Sequence, residues 1–454
     1  MWTGIGLRKK FFYKELHFLV EAFLLKYHNK IKSTKEKRMI KFEEALKIVI
    51  DNTKVLPFEK VAITEAHGRV LAEDIIADRD QPPADNSGMD GFAVIYDDIK
   101  GASEENPAVL ELVGEAKAGG EPPKVEKGKA AAIYTGGLIP EGADTVIQKE
   151  LTKVEDGKVF IFQELKKGAN IRKQGEDYKK GDILINKGKK IRAAEIGILA
   201  SVNKATVYVY QVPKVGILTT GDEIIDIGEP ITSPSQIRTS NTYALYTQVK
   251  EAGGEPVILG FAKDKPEDLI EKLRNAITCD ILLTTGGVSV GDYDLVKDFV
   301  SVELGVEILF WKVAQKPGKP LAFGVWGENK RKLFFGIPGN PVAAMFVMEA
   351  YVKPALRKMR GERNIFNPLV KAKLVGGYKR KKGDRKEFIR VNVSFENGEF
   401  LAKPFGKQGS NILTGMVNSN GFGIIEIGKT QIEDGDYIDV MLFDTEFLKG
   451  SEND

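Results

Sequence analysis

A chain of 454 residues, 42% hydrophobic and 29% charged, is long enough for about three domains with separate cores. Its 67 basic residues against 64 acidic ones leave a net charge of +3, which excludes a nucleic-acid footprint resting on overall charge, and no nucleic-acid partner is expected. A single cysteine, Cys279, excludes an intrachain disulfide, and with three histidines neither a Cys/His zinc site nor a histidine-based triad is expected. The cytoplasm is therefore the expected compartment, and any metal is expected on oxygen ligands.

Residues 1–38 differ from the rest. The apolar run 18–25 follows Arg8, Lys9 and Lys10 but is interrupted by Glu21, lacks a small-residue cleavage site and is too short to span a membrane. No membrane partner is expected. Basic residues crowd 30–38 before Met39 opens an amphipathic pattern with Phe42, Ala45, Leu46, Ile48 and Val49 on one side. The segment 1–38 reads as a dispensable extension or a misplaced start, with a functional basic arm as the alternative.

From 54 to 171 the pattern is of short β runs broken by glycine and proline, predicting a β-rich inserted domain. A helix over 193–201 is expected to pack beside the helix at 39–52, so that 39–53 and 172–212 form a small split linker domain. Between 213 and 360 strands at 215–219, 256–261 and 280–284 alternate with helices at 242–252, 266–277 and 295–302. That alternation predicts a central three-layer α/β domain with a mostly parallel sheet. Beyond 361 short β segments return and predict a C-terminal β domain to about 446.

Three segments of the α/β region carry the chemistry: TTGGVSVGDYD (284–294), KPGKP (316–320) and GIPGNPVA (336–343). Ligands of open α/β sheets bind outside the carboxyl ends of the strands, where the first and third of these runs fall. Gly286, Gly287 and Gly291 let backbone N–H groups turn toward an anion, and a helix starting near Asp294 adds its positive end. Thr219, Thr220, Gly221 and Asp222 repeat the arrangement after the first strand. Asp222 and Asp292 are candidate Mg²⁺ ligands, because Mg²⁺ bridges carboxylate and phosphate oxygens with few protein ligands. Helix capping is the alternative for either. Lys316 and Lys319 flank a stiff Pro-Gly turn suited to phosphate or oxyanion binding. Gly339 is expected at a close approach, Asn340 as a polar cap and Pro341 at the start of a helix running to Met348. Cys279, just before a strand, reads as core packing.

Taken together with AHGRVLAEDI (66–75), PPADNSGMDGFAV (82–94), YTGGLIPEGADTVIQ (134–148), IRKQGEDYKKGD (171–182), LTTGDE (218–223) and GSNIL (409–413), these segments resemble the MoeA family of molybdopterin molybdenumtransferases, which includes the E domain of gephyrin. The resemblance covers Phe42 to about Leu442. It implies molybdenum cofactor biosynthesis: Mg²⁺-dependent insertion of molybdate, or the near-identical tungstate dianion, into adenylylated molybdopterin with release of AMP. Asp222, Ser289 and Asp292 would line the nucleotide and Mg²⁺ site, with Gly286 and Gly287 against phosphate. Lys316 and Lys319 would neutralise the pyrophosphate or oxyanion, and Pro317, Pro338 and Asn340 would complete the substrate-binding turns. Arg390 and Ser410 look like oxyanion-side contacts, while Asp90 and Thr135 would close the cleft from the other subunit of an elongated homodimer.

One departure stands out. Where the family often has Asp-Ser-Asn or Asp-Thr-Asn, this chain reads Thr239-Ser240-Asn241, losing a carboxylate for which Asp264 is a candidate replacement. Two competing readings are a non-catalytic molybdopterin-binding or scaffold protein of the gephyrin type, and the adenylylating step catalysed by a related α/β domain.

Overall fold

The computed structural model describes residues 39–263, 266–286 and 295–449. The expectations for 1–38, Asp264, Gly287, Ser289, Gly291, Asp292 and Asp294 lie outside the described residues. The described chain divides into two compact units, one running to Pro57 and resuming at Gln211, the other being Phe58–Tyr210.

Helix α1 (Phe42–Asn52) belongs to the first unit. Ala45 and Val49, four apart on one stripe, are fully buried in the cluster that holds Met348 and Tyr351, and the Phe42 ring lies 5.4 Å from Tyr351 and 4.8 Å from Phe388. This corrects the expected split domain. The helix over 193–201 buries Leu199 in another cluster, with Leu71, Ile75, Val207 and Val209.

In the second unit, β1 (Phe58–Ala62) pairs antiparallel with the last strand, Thr206–Tyr210, in the register Phe58↔Tyr210 to Ala62↔Thr206. Between them lies the expected β-rich region. Strands β2 (Gly91–Val94), β3 (Ala108–Ala116), β4 (Lys129–Ile133), β5 (Thr145–Gln148), β6 (Thr152–Glu155) and β7 (Lys158–Ile161) form a sheet of order β5-β2-β4-β3-β7-β6. Its apolar residues Phe92, Val94, Leu110, Ile147, Val159 and Ile161 make one core. Helix α2 (Ala193–Ser201) and β8 (Thr206–Tyr210) complete the unit.

The first unit resumes as β9 (Lys214–Thr220), α3 (Asn241–Glu251), β10 (Glu255–Ala262), α4 (Pro266–Asn275), β11 (Ile281–Thr285) and α5 (Leu295–Glu303). These match the predicted alternation to within a few residues. Strands β12 (Glu307–Trp311), β14 (Ala322–Trp326) and β15 (Lys332–Ile337) follow, with the short β13 (Gln315–Lys316) between them, and were not legible in the alternation. The sheet order is β10-β9-β11-β15-β14-β12, in which β10, β9, β11 and β15 are parallel and β14 pairs antiparallel with both β15 and β12.

Side-chain alternation explains the three layers. Ile281, Leu283, Leu333, Phe335 and Ile337 enter the cluster shared with α1 and α3, while Leu282 and Phe334 enter the one shared with α4 and Val300 of α5. Both faces are buried, so the strands read as continuous apolar runs.

Helix α6 (Pro341–Val347) continues through a π-turn at Met348–Val352 into α7 (Lys353–Met359), well beyond the expected end at Met348. Pro354 has no N–H to give to a carbonyl four residues back, and the wider turn absorbs that lost bond. Strands β16 (Leu369–Leu374), β17 (Lys386–Glu396), β18 (Glu399–Pro404), β19 (Gly421–Ile425) and β20 (Tyr437–Leu442) close on themselves, since β17 pairs with both β18 and β19. The C-terminal β domain is therefore a barrel around Ile389, Val391, Ala402, Ile425 and Val440. At the start of β17 the α/β domain adds β13, in the parallel register Gln315↔Lys386 and Lys316↔Glu387. No helix among the described residues is long and apolar enough to cross a membrane.

Candidate active site

The carboxyl ends of β9, β11 and β15 bring together the turns predicted from the sequence. Gly286 N–H donates to the Ile337 carbonyl at 3.3 Å, and the Thr220 hydroxyl to the Thr285 carbonyl at 3.4 Å. Gly286 has φ +87°, and a Cβ there would lie 2.3 Å from the Thr220 carbonyl oxygen, so only glycine fits. Among the described residues, a Cβ at Gly339 would meet nothing nearer than Gly286 Cα at 3.8 Å.

Asn241, at the start of α3, ties two of these turns together. Its Nδ2 donates to the Gly339 carbonyl at 2.7 Å and to Thr285 Oγ1 at 3.5 Å, while its own buried Oδ1 has no partner among the described residues. Behind it the hydroxyls of Thr219, Thr242 and Thr239 form a buried chain with spacings of 2.7 and 2.8 Å. Thr239, the departure from the family triplet, is thus a structural hydroxyl, and its Oγ1 also accepts the Thr242 N–H at 3.4 Å.

Asp222 is exposed beside this edge. Its oxygen donors suit a hard divalent cation that takes most of its ligands from phosphate and water. Among the described residues no group of three or more His, Cys, Asp or Glu side chains is placed to hold a metal by itself.

Asn340 occupies the N-cap position of α6, yet its side chain makes no capping bond. The helix start is served from the barrel instead: the Ser410 carbonyl accepts the Val342 N–H at 3.0 Å. The loop that carries Ser410 is held by Arg390, which was expected to face the oxyanion. Arg390 is 1% exposed, and its guanidinium donates to the carbonyls of Ile412 (2.6 Å), Lys407 (2.6 Å) and Gly409 (3.1 Å). The fork is consumed in shaping the 407–412 loop. At Gly415 a Cβ would lie 2.5 Å from Arg390 Nη1, which keeps that neighbour a glycine.

The lysine turn is anchored on the barrel. The peptide Lys316–Pro317 is cis. Lys316 Nζ lies 2.7 Å from Glu387 Oε1, a buried carboxylate that also takes Arg380 at 3.3 Å and the Tyr378 hydroxyl at 3.1 Å. Beside Lys316 opens a cavity of about 380 Å³ lined by Lys379, Arg380, Lys381, Lys382 and Arg385 together with Tyr378, Asp384 and Glu387. These basic residues were missed because the run 379–386 reads as a solvated charged face, and only the barrel brings it to the turn. Lys319 is half-buried and its carbonyl accepts the N–H groups of Val313 (2.9 Å) and Leu321 (3.1 Å).

In the second unit the structure pairs two residues chosen separately from the sequence. Asp90 Oδ1 accepts both the N–H (2.7 Å) and the hydroxyl (2.8 Å) of Thr135, and these bonds hold its carboxyl below the usual range. Gly91 beside it packs so closely that a Cβ would lie 1.9 Å from the Ile147 carbonyl oxygen. Cys279 is fully buried, and burial pushes its thiol up, which suits packing and not attack.

Glycine turns and hydroxyls at a parallel-sheet edge, a lysine turn seated on a barrel and a largely basic cavity mark a multidomain α/β protein whose sheet edge is chemically suited to anions. Comparison with known proteins is specific. Residues 40–203 match the MoeA N-terminal region (domain I and II), 216–358 a probable molybdopterin binding domain, and 374–443 the MoeA C-terminal region (domain IV). The chain is 36% identical over 380 residues to a molybdopterin molybdenumtransferase of Nostoc sp., covering 83% of this chain and 87% of that one. It is 36% identical over 425 residues to the enzyme so named from Bacillus subtilis, covering 92% and 97%. A crystal structure of a molybdopterin biosynthesis MoeA protein from Pyrococcus horikoshii superposes with a TM-score of 0.76 at 32% identity, over 89% of this chain and all of that one. The chain belongs to the MoeA family.

Proposed function

We propose that this transferase inserts molybdate or tungstate into adenylylated molybdopterin in an Mg²⁺-dependent reaction that releases AMP. Its place is in molybdenum cofactor biosynthesis, as a molybdopterin molybdenumtransferase. The observation that carries the finer reading is the seating of the lysine turn: Lys316 and Lys319 flank a Pro-Gly turn fixed by β-pairing to the barrel, beside a cavity where five further cations outnumber two carboxylates, Asp384 and Glu387. Such a fixed cationic wall suits a tetrahedral dianion and a pyrophosphate, both of which need charge neutralised without rearrangement.

The roles divide as follows. Gly286 and Gly287 let the backbone approach phosphate, with Ser289, Pro317, Pro338 and Asn340 along the substrate. Asp222 and Asp292 are the residues that would hold Mg²⁺, which when bound supplies charge neutralisation to phosphate oxygens. Lys316 and Lys319 neutralise the oxyanion and pyrophosphate. Arg390 acts by holding the 407–412 loop and Ser410 in place. The protein works in the cytoplasm as a homodimer, in which the Asp90 and Thr135 pair of one subunit closes the cleft of its mate. No nucleophilic side chain is required: an oxygen of the metal oxyanion attacks phosphorus, the P–O bond of the pyrophosphate breaks with AMP leaving, and the dithiolene sulfurs then displace that phosphoryl oxygen and one further oxygen, lost as water, from the metal, so catalysis is positioning and charge compensation.

The test is AMP release by purified protein from adenylylated molybdopterin with Mg²⁺ and either oxyanion, with Asp292→Ala as control. Oxyanion-dependent release that disappears in the variant supports the reading. No release from folded protein would contradict it and favour a binding or scaffold role.

A further inference from the structure

We infer that Tyr351 is a positioning residue for the oxyanion-binding turn, acting through the side-chain amide of Gln315; this rests on the reading of Lys316 and Lys319 given above. Tyr351 lies in the π-turn Met348–Val352, on the helix that also carries the GIPGNPVA turn at its other end. Its ring is fully buried against Phe42, and its hydroxyl donates to Gln315 Oε1. Gln315 is itself 0% exposed, and its Nε2 donates to the Gly318 carbonyl at 2.9 Å. Gly318 is the middle residue of the lysine turn.

The chemistry of the two donors fixes the arrangement. Burial raises the Tyr351 phenol well above its ordinary range, so the hydroxyl keeps its proton and needs an acceptor. Only the oxygen of the Gln315 amide can accept, which forces the NH₂ group onto the Gly318 carbonyl. The reversed amide would set two carbonyl oxygens against each other and leave the hydroxyl unpaired. The turn has no room to shift away from this clamp: Gly318 has φ +84°, and a Cβ there would lie 2.9 Å from Gln315 Nε2 and 3.1 Å from Val347 Cγ2. Backbone pairing holds the first lysine, through Lys316↔Glu387, while the chain Tyr351, Gln315, Gly318 sets how far the second, Lys319, stands from it. A π-turn is a known way to rotate one side chain out of helical register for such a task.

The experiment measures steady-state kinetics of Tyr351→Phe, Gln315→Leu, the double variant and Lys319→Ala in the full-length protein, varying molybdate and the adenylylated substrate separately. Tyr351→Phe and Gln315→Leu should each raise KM for molybdate roughly five- to tenfold, with kcat within about twofold and KM for the nucleotide substrate unchanged. Because both act on one carbonyl, the double variant should show the same rise and not its square. It should also be no less stable in urea than Gln315→Leu alone, since the Gly318 carbonyl loses its donor in both and the double variant no longer leaves the Tyr351 hydroxyl unpaired as well. A purely structural role would lower stability in the single variants without moving the molybdate KM, and that result in folded Tyr351→Phe or in the double variant overturns the inference. If Lys319→Ala alone leaves the molybdate KM unchanged, the reading of the lysine turn fails instead. A raised KM in Lys319→Ala with no change in the Tyr351 and Gln315 variants overturns only the positioning role.

Discussion

Lys316 of the α/β domain and Glu387 of the barrel meet at 2.7 Å, and the strand register that places them opposite one another also places Gln315 against Lys386. The cationic turn is therefore built by two domains jointly. Neither half of the contact is legible alone.

Glu387 is 3% exposed and balances Lys316 and Arg380 together. Glu387→Gln leaves two cations facing each other without a carboxylate, and the expected cost is about 3 kcal/mol, read as a lowered urea midpoint. A midpoint within experimental error of the parent would show that the pair is not a structural tie.

The two glycines of the sheet edge should separate structure from substrate approach. Gly286→Ala forces a Cβ to 2.3 Å from the Thr220 carbonyl at φ +87°, and should cost about 3 kcal/mol of stability. Gly339→Ala meets nothing nearer than 3.8 Å among the described residues and should change stability by less than about 0.5 kcal/mol. If it nevertheless raises KM for adenylylated molybdopterin, that glycine serves the ligand and not the fold.

Most of the architecture could be read from period and punctuation. The runs VGILTT (215–220) and ILLTT (281–285) are apolar on both faces because both faces are covered, and their glycine-ended turns fall where the parallel edge places them. The antiparallel strands Glu307–Trp311 and Ala322–Trp326 escaped because they break the strand and helix alternation. Helix α1 was assigned to the wrong neighbour because its Ala45 and Val49 stripe says only that something apolar covers it. Arg390 showed its charge in the sequence but not its burial, and the carbonyls that consume it come from a loop 17 to 22 residues away. Asp90 and Thr135 were both legible, yet their mutual bond depends on β2 and β4 pairing.

Thr239→Asp tests the one departure from the family triplet. The buried Thr239 hydroxyl accepts the Thr242 N–H and meets its Oγ1, two donors that a carboxylate at the same position can also use. The variant should fold with a Tm within a few degrees of the parent and reach half-maximal turnover at lower Mg²⁺. Turnover and Mg²⁺ dependence identical to the parent would mean that the missing carboxylate is not a weakness.

Acid stability of the Phe58–Tyr210 unit should depend on Glu195. The Arg192 side chain, aided by the Arg192 N–H, lowers its pKa from 4.5 to about 2. A folded-state pKa below the unfolded one adds stability that is complete above about 4.5 and lost as the pH falls toward 2. Glu195→Gln should therefore lower Tm at pH 7 and narrow its difference from the parent at pH 2. A constant difference at both pH values would contradict the linkage.

The central claim is that this protein moves an oxyanion onto adenylylated molybdopterin. The most direct measurement is AMP released per enzyme when adenylylated molybdopterin and Mg²⁺ are supplied with molybdate, with tungstate, or with neither. The account predicts release that requires an oxyanion, falls sharply in Lys319→Ala and disappears in Asp292→Ala. Release at the same rate without any oxyanion, or none from folded protein with either one, would contradict it.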